Sequence, residues 1–281
     1  MKITAVKING MERPMGYAFS NVTVSWRVEV TGEDGEQAVS APAPFDTGKM
    51  DEPWAAKWIG MREEDGFHPV FEKSFALKGT PVRARLYITG VGLYEASLNG
   101  VKIGDDVLAP FFNDYNTAIQ VQTYDVTDML TENSTLSVML GNGWYKGRLG
   151  YEDGVALYGN RFGCIAELHV EYADGSKDVI ATGESWQHYP SDIIYSDIYD
   201  GEGIDRTLNA GGVTKKQAIL MDMSGKKLVD RYSMPLREME ELPVKEIIRT
   251  PAGETVLDFA GYVKFHAAFP EGTKVWHRRE R

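Results

Sequence analysis

The sequence predicts an all-β chain of tandem β-sandwiches. Short segments with period-2 alternation or β-branched and aromatic enrichment recur along most of its 281 residues. Clusters of Asn, Asp and Gly punctuate them where reversals are needed. No stretch carries the apolar stripe of a long amphipathic helix.

The first strands are ITAVKI and VTVSWRVEV. Prolines and alanines then break the alternation in SAPAPFDTGKMDEPWAAKWIG, where Trp54 and Trp58 bracket a linker expected to pack on the next domain. Residues 1–50 therefore read as a short immunoglobulin- or fibronectin-like sandwich with fewer strands than usual. Residues 55–235 supply VFEKSFAL, RARLYITG, LYEASLNG, IQVQTYDV, STLSVML, CIAELHVEY and KDVIAT, enough for a two-sheet jelly roll. Reversals are expected at GEDGE, NGVKIGDD, ADGSKD and PEGT. One capped helical turn is expected in DVTDML, with Asp125 or Thr127 as its N-cap. Residues 236–281 begin a further sandwich with TVLDF, YVKFHAAF and TKVW and do not complete it.

Composition narrows the function. With 30 basic against 41 acidic residues the net charge is -11, a field that repels nucleic-acid phosphates and anionic membrane surfaces. A neutral or cationic ligand is easier to reconcile with that charge. The single cysteine, Cys164, lies in a strand and reads as a small buried hydrophobe, so no disulfide framework exists. The N-terminus lacks the apolar run of a signal peptide and no apolar run is long enough to span a bilayer, which points to the cytoplasm. His68, His169, His188, His266 and His277 show no tight metal spacing, and neither G-x-S-x-G nor a phosphate loop is present.

Three stretches carry candidate chemistry. In GNGWYKGRLGY, residues 141–151, Asn142, Trp144, Tyr145, Arg148 and Tyr151 combine aromatic faces, an amide and a guanidinium in a glycine-rich loop at a strand end, which suits a sugar. Alternatively Trp144 and Tyr145 plug the sandwich while Arg148 pairs with a neighbouring acid. The acidic stretch SDIYDGEGIDR, with Asp197, Asp200, Glu202 and Asp205, reads as a solvated loop or as a sugar-contacting one. In FFNDYN, Asp114 and Asn116 flank Tyr115 and would point the same way along an extended segment, offering hard oxygens to calcium; an Asx-turn explains the same letters.

The series RARLYITGVGLYEASLNGVKIGDDVLAPFFNDYNTAIQVQTYDVTDML, LSVMLGNGWYKGRLG and SDIYDGEGIDRTL resembles the N-terminal region of bacterial α-L-rhamnosidases. The likeness covers residues 83–208 and extends more weakly to DTGKMDEPWAAKWIG and KEIIRTPAGETVLDFAGYVKF. Compared with the family pattern, the first domain is short, and the insert expected between VLDF and AGYVKF is missing. The resemblance implies an inverting glycoside hydrolase whose catalytic carboxylates lie on a helical barrel that these residues do not include. It thus implies a non-catalytic front portion serving as scaffold and substrate-side wall, with rhamnose-containing glycosides and its own barrel as partners, no catalytic residue here and no required cofactor. The alternative is a free-standing rhamnose-binding module, calcium-assisted as in some relatives.

Overall fold

In the computed structural model, the described residues are 7–8, 11–12, 23–31, 35–62, 66–149 and 154–259. The chain is nearly all sheet and divides into two compact units, Met1–Leu236 and Arg237–Arg281. Six short strands come first: β1 (Lys7–Ile8), β2 (Met11–Glu12), β3 (Thr23–Trp26), β4 (Glu29–Thr31), β5 (Gln37–Val39) and β6 (Ala43–Asp46). They pair as separate ribbons, β1 with β2, β3 with β6 and β4 with β5.

Next come β7 (Ile59–Gly60), β8 (Pro69–Ala76), β9 (Pro81–Val91), β10 (Leu93–Leu98), β11 (Val101–Lys102), β12 (Ile119–Asp125) and β13 (Asn133–Gly141). A single helical turn, α1 (Gly143–Lys146), leads to β14 (Gly163–Tyr172), β15 (Lys177–Ala181), β16 (Gln187–Pro190), β17 (Ile193–Asp197) and β18 (Gly201–Ile204). The unit closes with β19 (Lys216–Gln217), β20 (Ile219–Leu220) and β21 (Leu228–Asp230). A six-stranded sheet runs β11-β10-β13-β8-β16-β19, and a seven-stranded sheet runs β20-β7-β14-β9-β12-β21 with β15 added to β14. Apart from the parallel β12–β21 pair, these strands are antiparallel.

The two large sheets share one core. Leu136, Val138 and Leu140 of β13 face Leu86 and Ile88 of β9 and Cys164, Ala166 and Leu168 of β14 in a single apolar cluster with Trp186 and Phe71. Here β13 shows the alternation its sequence foretold, buried at every second residue from Ser134 to Leu140. By contrast β9 and β14 are buried on both faces, because the linker after β6 covers the outer side of the seven-stranded sheet.

That cover is pinned by charge. The ammonium of Lys49 lies 2.6 Å from a Glu167 carboxylate oxygen, while the other Glu167 oxygen accepts the Ala56 N–H at 2.8 Å. His169 sits 2.8 Å from Glu167, and Trp54 and Tyr87 flank Lys49. At the far edge the Asp230 carboxylate accepts the backbone N–H groups of Lys49 and Met50.

Asn99 and Gly100, both at positive φ, make the β10–β11 reversal expected of NG, and Gly175 turns β14 into β15. The turn in DVTDML is a 3-10 turn, Thr127–Met129. Its N-cap is Val126 rather than Asp125 or Thr127, but the Asp125 carboxylate still accepts the Thr127 N–H. Cys164 is fully buried, as its strand context implies. In the second unit β22 (Glu246–Arg249) and β23 (Thr255–Asp258) form a hairpin; YVKFHAAF, TKVW and PEGT lie outside the described residues. Among the described residues no helix is long and apolar enough to cross a membrane.

Candidate functional site

The glycine-rich stretch after β13 folds into α1 because Gly143 takes a φ of +52, which lets the chain coil immediately on leaving the strand. Coiling splits the two aromatics. Tyr145 turns inward, 5% exposed, with its ring 5.0 Å from that of the fully buried Tyr115. Trp144 turns to the rim, partly exposed, and meets Phe112 edge-on at 5.8 Å; Phe112 itself is 53% exposed. Tyr145 is thus the plug, and Trp144 with Phe112 forms an accessible aromatic edge. Tyr151 lies outside the described residues.

The acidic stretch is a β-hairpin, not a loop: β17 and β18 pair through Asp197 and Gly201. It docks on the glycine-rich turn. The Arg148 N–H donates to Asp197 at 2.8 Å, and the Arg148 guanidinium grips Asp200 with two hydrogen bonds, 2.6 and 3.1 Å. Tyr199 lies beneath that guanidinium at 5.1 Å. The hydrogen bond from Arg148 holds the Asp200 carboxyl below the ordinary carboxylate range. A Cβ on Gly147 would lie 2.7 Å from Asp197 and would also strike the carbonyl of Gly143. The glycine here permits close approach of the chain's own hairpin.

Trp144, Arg148, Asp197 and Asp200 are therefore assembled at one end of the sandwich with Phe112, Tyr195 and Tyr199, which the sequence reading passed over. Asn142 is the N-cap position of α1 and makes no capping hydrogen bond with its side chain. Glu202 stands apart from the Arg148 pair. Burial raises its carboxyl first, with Glu95 and Asp192 adding like charge.

The FFNDYN segment is a turn rather than an extended strand. The Asp114 carboxylate accepts the Asn116 N–H at 3.1 Å and the Thr117 hydroxyl at 2.7 Å, and these bonds hold its carboxyl below the ordinary range. The side-chain oxygen of Asn116 faces Lys226 at 3.4 Å. The two candidate metal ligands do not converge along one strand face. Among the described residues no three of His, Cys, Asp and Glu gather as a metal-holding group.

A family model described as the alpha-L-rhamnosidase N-terminal domain matches residues 79–248, which include the turn, the hairpin and strands β9, β13 and β14 of the two large sheets. The chain belongs to the α-L-rhamnosidase N-terminal domain family. An alpha-L-rhamnosidase of Streptomyces avermitilis is 35% identical to this family member over 207 residues, covering 69% of this chain and 20% of the relative. The solved structure of native α-L-rhamnosidase from Aspergillus terreus superposes with a TM-score of 0.81 at 31% identity, over 90% of this chain and 33% of that one. The Streptomyces avermitilis α-L-rhamnosidase complexed with L-rhamnose gives 0.64 at 27% identity, over 83% and 26%. This rhamnosidase N-terminal chain thus spans a third or less of the length of the relatives it matches.

Proposed function

We propose that this chain is the non-catalytic front portion of an α-L-rhamnosidase that removes terminal α-L-rhamnose, with the Trp144 rim serving as a substrate-side wall. The observation that supports this most is the docking of the β17–β18 hairpin on the glycine-rich turn, which holds Arg148, Asp200 and the exposed Trp144–Phe112 edge at one end of the sandwich. An exposed indole edge offers a surface to the C–H side of a sugar ring, and the fixed guanidinium and carboxylates offer partners to its hydroxyls. The L-rhamnose in the Streptomyces avermitilis structure supports the choice of sugar.

Within this reading the carboxylates that cleave the glycoside belong to the rest of the enzyme. Arg148 neutralises Asp200, and the remaining acids of the hairpin shape the wall without supplying an acid and base pair. The experiment is an assay of the purified chain on an aryl α-L-rhamnoside, paired with a rhamnose titration followed through the indole signal of Trp144. No turnover together with a perturbed Trp144 signal is expected. Turnover that survives repurification and disappears on a point substitution within the chain would overturn the non-catalytic assignment. The same titration addresses the free-standing rhamnose-binding module: that reading requires tight, calcium-dependent binding by this chain alone.

A further inference from the structure

On the outer face of the seven-stranded sheet, a cleft of about 380 Å³ opens between the linker and the crossing that joins β20 to β21. None of its lining residues belongs to the Trp144 site. Its apolar side is built by Trp54, Trp58 and two methionines, Met221 and Met223. Trp58 is nearly buried, whereas Trp54 remains partly exposed with Lys49 fixed beside its ring.

The wall is held in place by the backbone. Met221 donates its N–H to the Trp58 carbonyl at 2.9 Å, and its sulfur occupies the space above the cross-strand glycine pair Gly60 and Gly163. A Cβ on Gly163 would lie 2.6 Å from that sulfur, and one on Gly60 would also collide with it. Small residues in both strands therefore let the methionine sit down and keep the cleft open.

The rim is cationic although the chain as a whole carries a net charge of -11. Lys57 and Lys226 line it against a single carboxylate, Asp222, one of whose oxygens is already taken by the Ser224 N–H. Among the described residues neither lysine is in a salt bridge; Lys226 makes one long hydrogen bond, 3.4 Å, to Asn116, and its charge helps lower the Asp114 carboxyl. An ammonium has three donors, so Lys226 keeps donors for a ligand. The aromatic wall, the side-chain oxygens of Asp222 and Ser224 at the rim and the local positive charge together suit a ligand with an apolar ring face, hydroxyls and an anionic group.

We propose that this cleft binds a carboxylate-bearing sugar, a hexuronate unit of an acidic oligosaccharide, with the ring against Trp54 and the carboxylate between Lys57 and Lys226. This goes beyond the rhamnose-facing role proposed for Trp144 and stands on different residues. It also reverses, for one patch, the preference for neutral or cationic ligands that the whole-chain charge suggests.

Digalacturonic acid and its methyl ester are the probes, titrated into the whole chain by calorimetry and tryptophan fluorescence. The acid is expected to bind in the millimolar range, about fivefold or more tightly than the ester, the scale of an exposed ion pair. Its affinity is expected to fall as salt rises through the range where the Debye length shortens from about 10 to 3 Å. The double variant Lys57→Gln with Lys226→Gln should lose the preference for the acid while keeping the wild-type circular dichroism and melting temperature. Trp144→Ala should leave it unchanged. Equal affinity for acid and ester, a preference that survives the double lysine variant, loss on Trp144→Ala, or no binding of either probe at about 20 mM would each overturn the assignment.

Discussion

The ammonium of Lys49 lies 2.6 Å from a carboxylate oxygen of Glu167, with 3% and 1% of their side chains exposed. One residue belongs to the linker and the other to the middle of β14, and their pairing fixes the linker over the sheet. A pair so far out of water is held by its remaining hydrogen bonds. Removing one partner leaves the other charge buried and uncompensated. Lys49→Met should therefore destabilise the protein by about 3 to 5 kcal/mol, measured by urea unfolding. A loss below about 1 kcal/mol, the scale of an exposed pair, would show that the linker is not latched this way.

Acid should release the same latch. Burial works against ionisation of Glu167, but hydrogen bonds from His169, Lys49 and the Ala56 N–H outweigh it and bring its carboxyl down to about 2 from the ordinary glutamate value of 4.5. With the folded value below the unfolded one, this contribution is fully present above pH 4.5 and is lost as pH falls towards 2. Between these limits wild type should lose up to about 1.4 kcal/mol per pH unit more than Glu167→Gln. Parallel stability curves for the two proteins between about pH 5 and pH 3 would contradict this, on the same linkage argument.

Truncating the two neighbouring aromatics should have opposite signatures. Tyr145→Ala removes a buried ring packed on Tyr115 and should cost about 3 to 5 kcal/mol. Trp144→Ala removes a partly exposed ring and should cost roughly 1 to 2 kcal/mol while weakening rhamnose binding. Thermal melts with a rhamnose titration compare them. Equal destabilisation with unaltered sugar response would make the whole turn architectural.

Gly147→Ala tests the docking of the hairpin. The added methyl would press on Asp197 and on the Gly143 carbonyl, so the bond from the Arg148 N–H to Asp197 should open. Hydrogen exchange at Arg148 should accelerate, with an overall cost of about 1 to 3 kcal/mol. Unchanged protection at that amide would show the hairpin is held elsewhere.

Calcium is expected to leave the melting temperature unchanged, because both Asp114 oxygens already serve the turn. A rise of several degrees in millimolar calcium, abolished by Asp114→Ala, would make the turn a cation site.

The parts legible in the sequence were those where one face of a strand is buried and the other is not. TLSVML alternates because β13 has a core side and an outer side, and NG marks a reversal because its two residues take positive φ. The β17–β18 hairpin was not legible as strands: a two-stranded ribbon that buries Ile193 but leaves Ile194, Tyr195 and Ile204 exposed has no alternating apolar face, and its acids dominate the reading. Arg148 was expected either at a sugar or on an acid, and its partner Asp200 stands 52 positions away, a pairing that no local pattern encodes. Glu167 was likewise invisible, since its cation is 118 positions off and its strand reads as plain core. Cover by the linker, rather than any property of β14 itself, makes that strand buried on both sides.

The carboxylate that receives the N–H groups of Lys49 and Met50 sits on Asp230, 181 and 180 residues further along. A ribosome adding about 5 to 20 residues each second takes roughly ten to forty seconds to travel that far. Throughout that interval the clamp at the sheet edge is missing, and the cover over β9 and β14 rests on the earlier contacts of Lys49 and Ala56 with Glu167. The fastening of the linker is complete only when the residues of β21 clear the exit tunnel.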